Sequence, residues 1–470
     1  MMFVVGEELR LLSELFHKKK SCLYIVGGYV RNKIIGIPDN QNLDVDLCSK
    51  STPEEILNIL KDSYFEIENI DNTFGVVKIK GKDNIYEHAT FRTEKYDLAG
   101  AHNPSNIEFI DNLELDAIRR DFRCNSVYYD IYKDEVQDPL NGVKDIKNRI
   151  IKTTIRPEAV FNDDSERILR LIRQAVTLGF RIDKQTFEYA RRNAFKIKYL
   201  SKNRIKKEFE QILLADYKYT NLKDTKYAHA RGVELLGEVG ALPYILPTLA
   251  QIYNMDVRED RGRNLFNHII ETFKICKESN LQLRYALLMH DYGRFQALLK
   301  NNNFNHHQEF SYINIEKDLG SEGLSYNKKF VDDVIEIVEC MDYNKFGFET
   351  GVKIRRFILN HYLQISNILL LKKYILLNKY GKLDFGYKRL YKGYLSMQQD
   401  KYPKTIKQLC LTPTEIINEF PQINKKYMTE IMNQLLYIVI ANYRKNSKVK
   451  LLKEVEGLIK KNKKYVLEVI

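Results

Sequence analysis

Two aspartates separated by one residue, Asp44 and Asp46, stand in the run Asn42-Leu43-Asp44-Val45-Asp46-Leu47. Side chains at i and i+2 of a strand leave the same face, so the two carboxylates converge. Their repulsion forces one to take up a proton unless a cation lies between them. A third acid, Glu87, sits in the strand-like stretch IYEHATFR. Three carboxylates holding two Mg²⁺ ions can activate a hydroxyl and stabilise a leaving pyrophosphate in an in-line displacement. A solvated strand edge presents Asp-x-Asp as well, so the company these residues keep decides between the two.

Upstream, the apolar run CLYIV enters Gly27-Gly28, and YVRNKIIG reads as the start of a helix carrying Arg31. Glycines let backbone N–H groups come close to a phosphate, and a helix N-terminus favours its charge. A plain tight turn uses the same residues.

The order of these segments resembles the class II nucleotidyltransferase family, which unites the bacterial and eukaryotic CCA-adding enzymes with bacterial poly(A) polymerases. LYIVGGYVRNKIIG followed by DVDL is similar to the family's first motif, a glycine pair, Val-Arg, and the metal-binding Asp-x-Asp. Arg119-Arg120-Asp121-Phe122-Arg123-Cys124-Asn125 resembles its Arg-Arg-Asp-Phe-x-x-Asn motif, and DPLNGVKDIKNRII the segment after it. Asp163-Asp164-Ser165-Glu166-Arg167 resembles the base-selecting Glu-Asp-x-x-Arg, with Arg170 one turn on. SKNRIKKEFEQIL is similar to the last head-and-neck motif, and the stretch from TIKQLCLTPTEIINEF to NYRKNSKVKLL to the tail that grips tRNA.

The resemblance implies transfer of C, C and A from CTP and ATP to a tRNA 3′-hydroxyl with Mg²⁺. Asp44, Asp46 and Glu87 would be catalytic, the two aspartates as metal ligands. Gly27, Gly28, Arg31, Arg120, Asp121, Asn125, Asp163, Asp164, Arg167 and Arg170 would bind nucleotide. Asp164 and Arg167, three apart on one helix, would offer an acceptor and donors to the base edge. Asn32 stands where the family has an acid, Asp163 replaces a Glu, and Ala101-His102-Asn103-Pro104 lacks the arginines common before that proline. These departures leave open poly(A) addition, or addition of only CC or A.

His268, His290-Asp291 and His307 follow in the order of an HD-type metal phosphohydrolase. Imidazoles with a carboxylate can hold cations and activate water. The place of the closing aspartate reads Lys373-Tyr374-Ile375, with Asp342 and Asp384 as the acids nearby. Core histidines without a metal are the plain alternative. From other classes, a phosphohydrolase acting on RNA ends and a silent RNA-binding scaffold stand as rivals. The missing closing acid weighs against the first, and retention of Asp44 and Asp46 against the second.

The elements that must position these groups divide the chain in two. The first 150 residues mix strand-like runs (CLYIVGG, VDLCS, GVVKIK, NSVYYDIY) with amphipathic stretches. Strand signals then fade, and SERILRLIRQAVTLGF is helical to a stop at Gly179. The expected fold is α+β, a palm-like mixed sheet with helices followed by an all-helical neck, HD-like body and tail. Boundaries are expected at 1–151 for the head, 152–215 for the neck, 216–400 for the body and 401–470 for the tail.

Composition agrees. At 470 residues the chain exceeds one compact domain, and 44% hydrophobic with 29% charged residues excludes a disordered or membrane chain. The net charge of +13 attracts polyanions, although a lysine-rich composition also follows from an AT-rich genome. Between Tyr443 and Tyr465 nine Lys/Arg face two Asp/Glu, as in a phosphate-contacting or a solvated helix. Six scattered cysteines point to a reducing cytoplasm. The N-terminal stretch carries acids and no small-residue cleavage site, and NILLLKKYILL is too short and too charged to span a membrane.

Overall fold

A computed structural model describes residues 3–38, 44–96, 104–255, 264–301, 307–341, 350–399 and 402–467, with Arg258 and Gly262. The α+β expectation is met. Two compact units form: Met1–Arg284 with Ile313–Asn327, and Tyr285–Tyr312 with Lys328–Ile470.

In the first unit the strands are β1 (Tyr24–Val26), β2 (Asp46–Ser49), β3 (Glu66–Asp71), β4 (Val76–Lys80), β5 (Ile85–Thr90), β6 (Arg92–Lys95), β7 (Asn106–Phe109), β8 (Tyr128–Asp130), β9 (Glu135–Gln137), β10 (Ile150–Ile151) and β11 (Arg181–Ile182). Seven build one sheet in the order β3-β4-β5-β2-β1-β8-β9. Within it β1 lies antiparallel between β2 and β8, while β2 and β5 run parallel. The early helices are α1 (Glu7–Lys18), α2 (Gly28–Ile35), α3 (Pro53–Leu60), α4 (Leu113–Ile118) and α5 (Gly142–Lys147).

Strand alternation assigns the two faces. Tyr24, Val26, Cys48 and Tyr128 point one way and pack with Phe91 and Ala117. Asp46 shares that face as the β2 residue two before Cys48, so the apolar layer forms the floor beneath the carboxylates. The opposite face carries Ile25, Leu47, Val77, Ile79 and His88, all buried, with Phe16 of α1 laid 5.7 Å from the His88 ring. Tyr86 ties the same helix down by donating to Glu8 at 2.6 Å.

His88 is wholly buried, its Nε2 2.8 Å from Ser49 Oγ. Burial holds its pKa down at about 3. Because this folded value lies below that of the unfolded chain, the stabilisation is complete above about pH 6.5 and drains away as pH falls toward 3. Between pH 7 and 5 urea denaturation should lose about 2 kcal/mol. His88→Asn should lower stability at pH 7 and flatten that slope; an unchanged slope would refute the assignment.

Beyond the sheet come α6 (Pro157–Asp163), α7 (Glu166–Leu178), α8 (Lys184–Asn193), α9 (Lys202–Leu213), α10 (Ala215–Lys218), α11 (Ala228–Glu238), α12 (Pro247–Asn254) and α13 (Leu265–Lys274). Ile168, Leu169, Leu171, Ile172 and Ala175 bury the apolar side of α7, and Gly179 ends it at φ +64°, as its position predicts. β10 and β11 pair in parallel and fasten the end of the sheet domain to the stretch after α7. The ion pairs Arg173–Glu208 (2.6 Å) and Arg204–Glu166 (2.7 Å) link α7 to α9.

Next are α14 (Leu281–Met289), α15 (Tyr292–Asn301), α16 (His307–Leu319), α17 (Lys328–Glu339), α18 (Gly351–Asn360), α19 (Ile365–Tyr380), α20 (Phe385–Met397), α21 (Pro413–Glu419), α22 (Met428–Ala441) and α23 (Lys448–Lys461). Among its described residues the regular elements of the second unit are all helices, with one β-bridge between Ile423 and Val466. Its core joins Val334 and Ile337 of α17, Phe357 and Ile358 of α18, Ile368 and Leu371 of α19, and Leu435 and Val439 of α22. Arg355 donates to the carbonyls of Ile440 and Ala441, meeting the negative end of α22. The apolar run NILLLKKYILL belongs to α19, and no described helix is long and apolar enough to cross a membrane. In the basic C-terminal stretch, Lys445, Lys448, Lys460 and Lys464 pair with glutamates.

Candidate active site

One cleft of about 900 Å³ in the first unit gathers most residues singled out by sequence. Gly27, Gly28, Arg31, Asp44, Asp46, Arg120, Asp121, Asn125, Asp164, Arg167 and Arg170 all line it. They come from the β1–α2 turn, β2, the segment after α4, and α7 with its approach.

The β1–α2 turn is shaped by Gly27, whose φ of +80° strains any residue with a Cβ. A Cβ there would meet Asp46 Oδ2 at 3.6 Å, so this turn lies directly against the carboxylate. Asp46 begins β2, whereas Asp44 lies before the strand, which corrects the expectation that both sit within it. Parallel pairing of β2 with β5 sets Glu87 opposite Asp46. Desolvation raises the Asp46 pKa, Arg120 opposes this, and the charges of Glu87 and Asp44 raise it further. Asp46 thus has two acids for neighbours, of which Asp44 lines the cleft with it and Glu87 does not.

Behind the acids lies a network of arginines. Asp116, fully buried on α4, accepts from Arg119 Nη2 at 2.7 Å, Arg120 Nη2 at 2.9 Å and the Tyr128 hydroxyl at 2.7 Å. Burial alone would raise this carboxyl, but Arg120 and Arg119 hold it far below the usual carboxylate range. Glu94 of β6 binds Arg92 at 2.8 Å and Arg119 at 3.2 Å. Sequence reading missed Asp116 and Glu94. The signal for Asp116 was its spacing of three and four residues from Arg119 and Arg120, which places all three on one helical face.

Arg31 donates to Asn125 Oδ1 at 2.6 Å, Asn32 Oδ1 at 2.8 Å and Gln174 Oε1 at 3.4 Å. These partners are neutral amides, so they orient the guanidinium and leave its charge uncancelled. Asn32, where the family has an acid, is therefore a tether for Arg31, and it donates in turn to the Tyr219 hydroxyl at 2.8 Å. Asn125 donates to Asp121 and to Gln174, both at 3.0 Å. Asp121 accepts from Arg170 Nη2 at 2.9 Å. Burial would raise Asp121, yet Arg170 and Asn125 bring it down to about 2. Gln174 was also missed; it stands four residues after Arg170 and seven after Arg167, the polar stripe of an otherwise apolar helix.

Asp164 and Arg167 do not share a helix. Asp163 closes α6, Asp164 is extended (φ −145°, ψ 111°), and α7 starts at Glu166. Asp164 Oδ1 accepts from the Glu166 N–H at 2.9 Å, and Arg167 Nη2 donates to the Arg119 carbonyl at 2.9 Å. Both side chains nevertheless line the cleft. Asp163, unlike Asp164, does not line the cleft; burial raises its pKa, against Arg167.

The HD-like residues divide between the two units. His268, buried on α13, belongs to the first, and its carbonyl accepts from Thr272 Oγ1 at 2.8 Å. His290 and Asp291 belong to the second, both buried, with His290 Nε2 3.6 Å from Asp291 Oδ2. Asp291 also meets Arg294 at 3.4 Å. His307 opens α16, and its side chain, like Asp342 and Ala101-His102-Asn103, lies outside the described residues. Lys373-Tyr374-Ile375 falls within α19, and Asp384 caps α20 by accepting from the Tyr387 N–H at 2.6 Å.

Residues 23–152 match the family model of the poly A polymerase head domain, and residues 179–253 match the probable RNA and SrmB-binding site of polymerase A. The CCA-adding enzyme of Streptococcus suis is 29% identical over 347 residues, covering 72% of this chain and 83% of that protein. That of Streptococcus thermophilus is 36% identical over 194 residues, 41% of this chain and 46% of that one. The crystal structure of the Bacillus stearothermophilus CCA-adding enzyme in complex with CTP has the same fold, with TM-score 0.67 and 20% identity over 97% of this chain and 98% of that one. The Thermotoga maritima CCA-adding enzyme complexed with tRNA follows at TM-score 0.56 and 16% identity, over 97% and 96%. With a matched head, a matched RNA-binding segment and motifs that meet in one cleft, the chain belongs to the class II nucleotidyltransferase family.

Proposed function

We propose that the protein completes tRNA 3′ ends, adding C, C and A from CTP and ATP with release of pyrophosphate. The observation that carries this reading is the single cleft in which Asp44 and Asp46 share a wall with Arg31, Arg120, Asp164, Arg167 and Arg170. Relatives that align over most of their length are CCA-adding enzymes, and solved structures of the same fold hold CTP, ATP or tRNA.

Asp44 and Asp46 would hold Mg²⁺, with Glu87 across from Asp46. Bound there, the ions supply hydroxyl activation and charge neutralisation at the triphosphate. The chain's own groups do the rest. Arg31, oriented by amides, offers an uncancelled charge to phosphate, and beside it the Gly27-Gly28 turn opens α2, whose N-terminus favours an anion. Arg120 sits between Asp116 and the acids, and Asp121, Asn125 and Arg170 fix the wall facing the nucleotide. Asp164 and Arg167 present an acceptor and a donor to the base edge, a protein template in place of a nucleic acid one. The head would end at 151, the neck at 215 and the body at 400, followed by the tail. We place the reaction in the cytoplasm, in keeping with six unpaired thiols.

Asp164→Ala and Arg167→Ala should relax nucleotide choice more than they slow transfer, with discrimination falling by about 1–3 kcal/mol. The readout is incorporation of UTP and GTP against CTP and ATP, and undiminished rejection in both variants would remove these residues from the template. The decisive experiment incubates tRNAs ending before C, CC and CCA with each nucleotide and sequences the products. Growth that stops at CCA supports the reading, whereas a homopolymeric A tract, or C or A alone, replaces it with poly(A) or partial addition.

A further inference from the structure

Two large rings stand in solvent on the 3-10 turn Ala194–Tyr199, which joins α8 to α9: Phe195 is 45% exposed and Tyr199 63%. The Lys198 ammonium spans both, 5.8 Å from the Phe195 centre and 4.9 Å from that of Tyr199. From Tyr189 to Lys207 the chain carries eight Lys/Arg and no Asp/Glu. Single exposed hydrophobics are ordinary. Two rings sharing a cation inside an acid-free stretch are the components that bind single-stranded nucleic acid, where bases stack on rings and cations follow the phosphates.

The turn is also bonded to the stretch that carries Asp163 and Asp164. Ser165 Oγ donates to the Lys196 carbonyl at 3.3 Å, and Lys196 Nζ donates to Asn162 Oδ1. One residue of the turn therefore holds that stretch from both sides. The turn further lies within the segment 179–253 matched to a probable RNA-binding site, a match that names no residue.

We propose that Phe195 and Tyr199 form a stacking subsite for single-stranded RNA, with Lys198 on the phosphate between the stacked bases, which receives the strand to be extended. That the bound strand is the one extended rests on the function proposed above; the stacking itself does not.

The full-length Phe195→Ala/Tyr199→Ala variant tests it, since removing exposed rings leaves the core intact and the melting temperature near that of the wild type. Binding of a fluorescent 12-nucleotide single-stranded RNA, read by anisotropy, should weaken about 10–100-fold. The KM for tRNA lacking CCA should rise comparably, with the KM for CTP unchanged. Phe195→Tyr/Tyr199→Phe should restore both, and Lys198→Gln should reduce the salt dependence of oligonucleotide binding by roughly one phosphate contact. Equal oligonucleotide binding by the alanine variant overturns the subsite. So does a wild-type dimer in sedimentation that this variant loses, which would give the rings to a second copy. If the wild type extends no RNA yet binds the oligonucleotide through these rings, the subsite stands and the proposed reaction falls.

Discussion

Asp46→Ala is expected to reduce transfer of every nucleotide by on the order of 10³-fold or more while tRNA affinity stays nearly constant. Asp46 lies against the Gly27 turn and opposite Glu87 in the strand register, and desolvation with the charges of Glu87 and Asp44 raises its pKa against Arg120. Alanine removes one of the two carboxylates proposed to hold Mg²⁺. The charges that attract RNA lie elsewhere, so binding is spared. Single-turnover incorporation of CTP and ATP and a gel-shift with tRNA separate the two quantities. Incorporation within tenfold of wild type would remove Asp46 from the reaction.

The second large effect is on stability. Asp116→Ala takes one fully buried carboxylate away from a tyrosine hydroxyl and two guanidiniums that are themselves mostly buried. Breaking a buried pair from one side leaves an uncompensated charge and costs about 3–5 kcal/mol. Urea denaturation at pH 7 measures it, and a loss below 1 kcal/mol would mean that the arginines find other partners. Because the folded pKa of Asp116 is depressed, its contribution is complete above the ordinary Asp value near 3.8 and fades only as pH falls below it. Activity should fall with stability, since Arg120 also faces Asp46.

Strands β1, β2, β4, β5 and β8, the α7 stop at Gly179 and most residues of the cleft could be read from sequence because each depends on local chemistry. Alternation reveals a strand, positive φ calls for glycine, and a carboxylate pair asks for a cation. Pairing across the sheet is not local. The opposition of Glu87 to Asp46 follows from a parallel strand register that no short pattern encodes. The same limit hid Glu94, which reaches Arg119 from 25 residues away. Asp164 was assigned to a helix because Asp163 to Arg170 reads as one continuous polar and apolar pattern; the break appears only in the extended backbone of Asp164 itself.

The amide relay around Asn125 has a kinetic meaning. Gln174, Arg170 and Arg167 of α7 are hydrogen-bonded to Arg31, Asn125, Asp121 and the Arg119 carbonyl. Hydrogen bonds to charged groups contribute about 1.5–3 kcal/mol each. A swing of α7 away from the sheet that broke three of them would leave the opened form populated at on the order of one molecule in ten thousand. Opening is then a rare event, and α7 stays docked to the sheet through nearly all of the protein's thermal motion. The wall that α7 adds to the cleft is therefore a fixed frame, and Asp164 and Arg167 are buried against it, bonded to the Glu166 N–H and the Arg119 carbonyl.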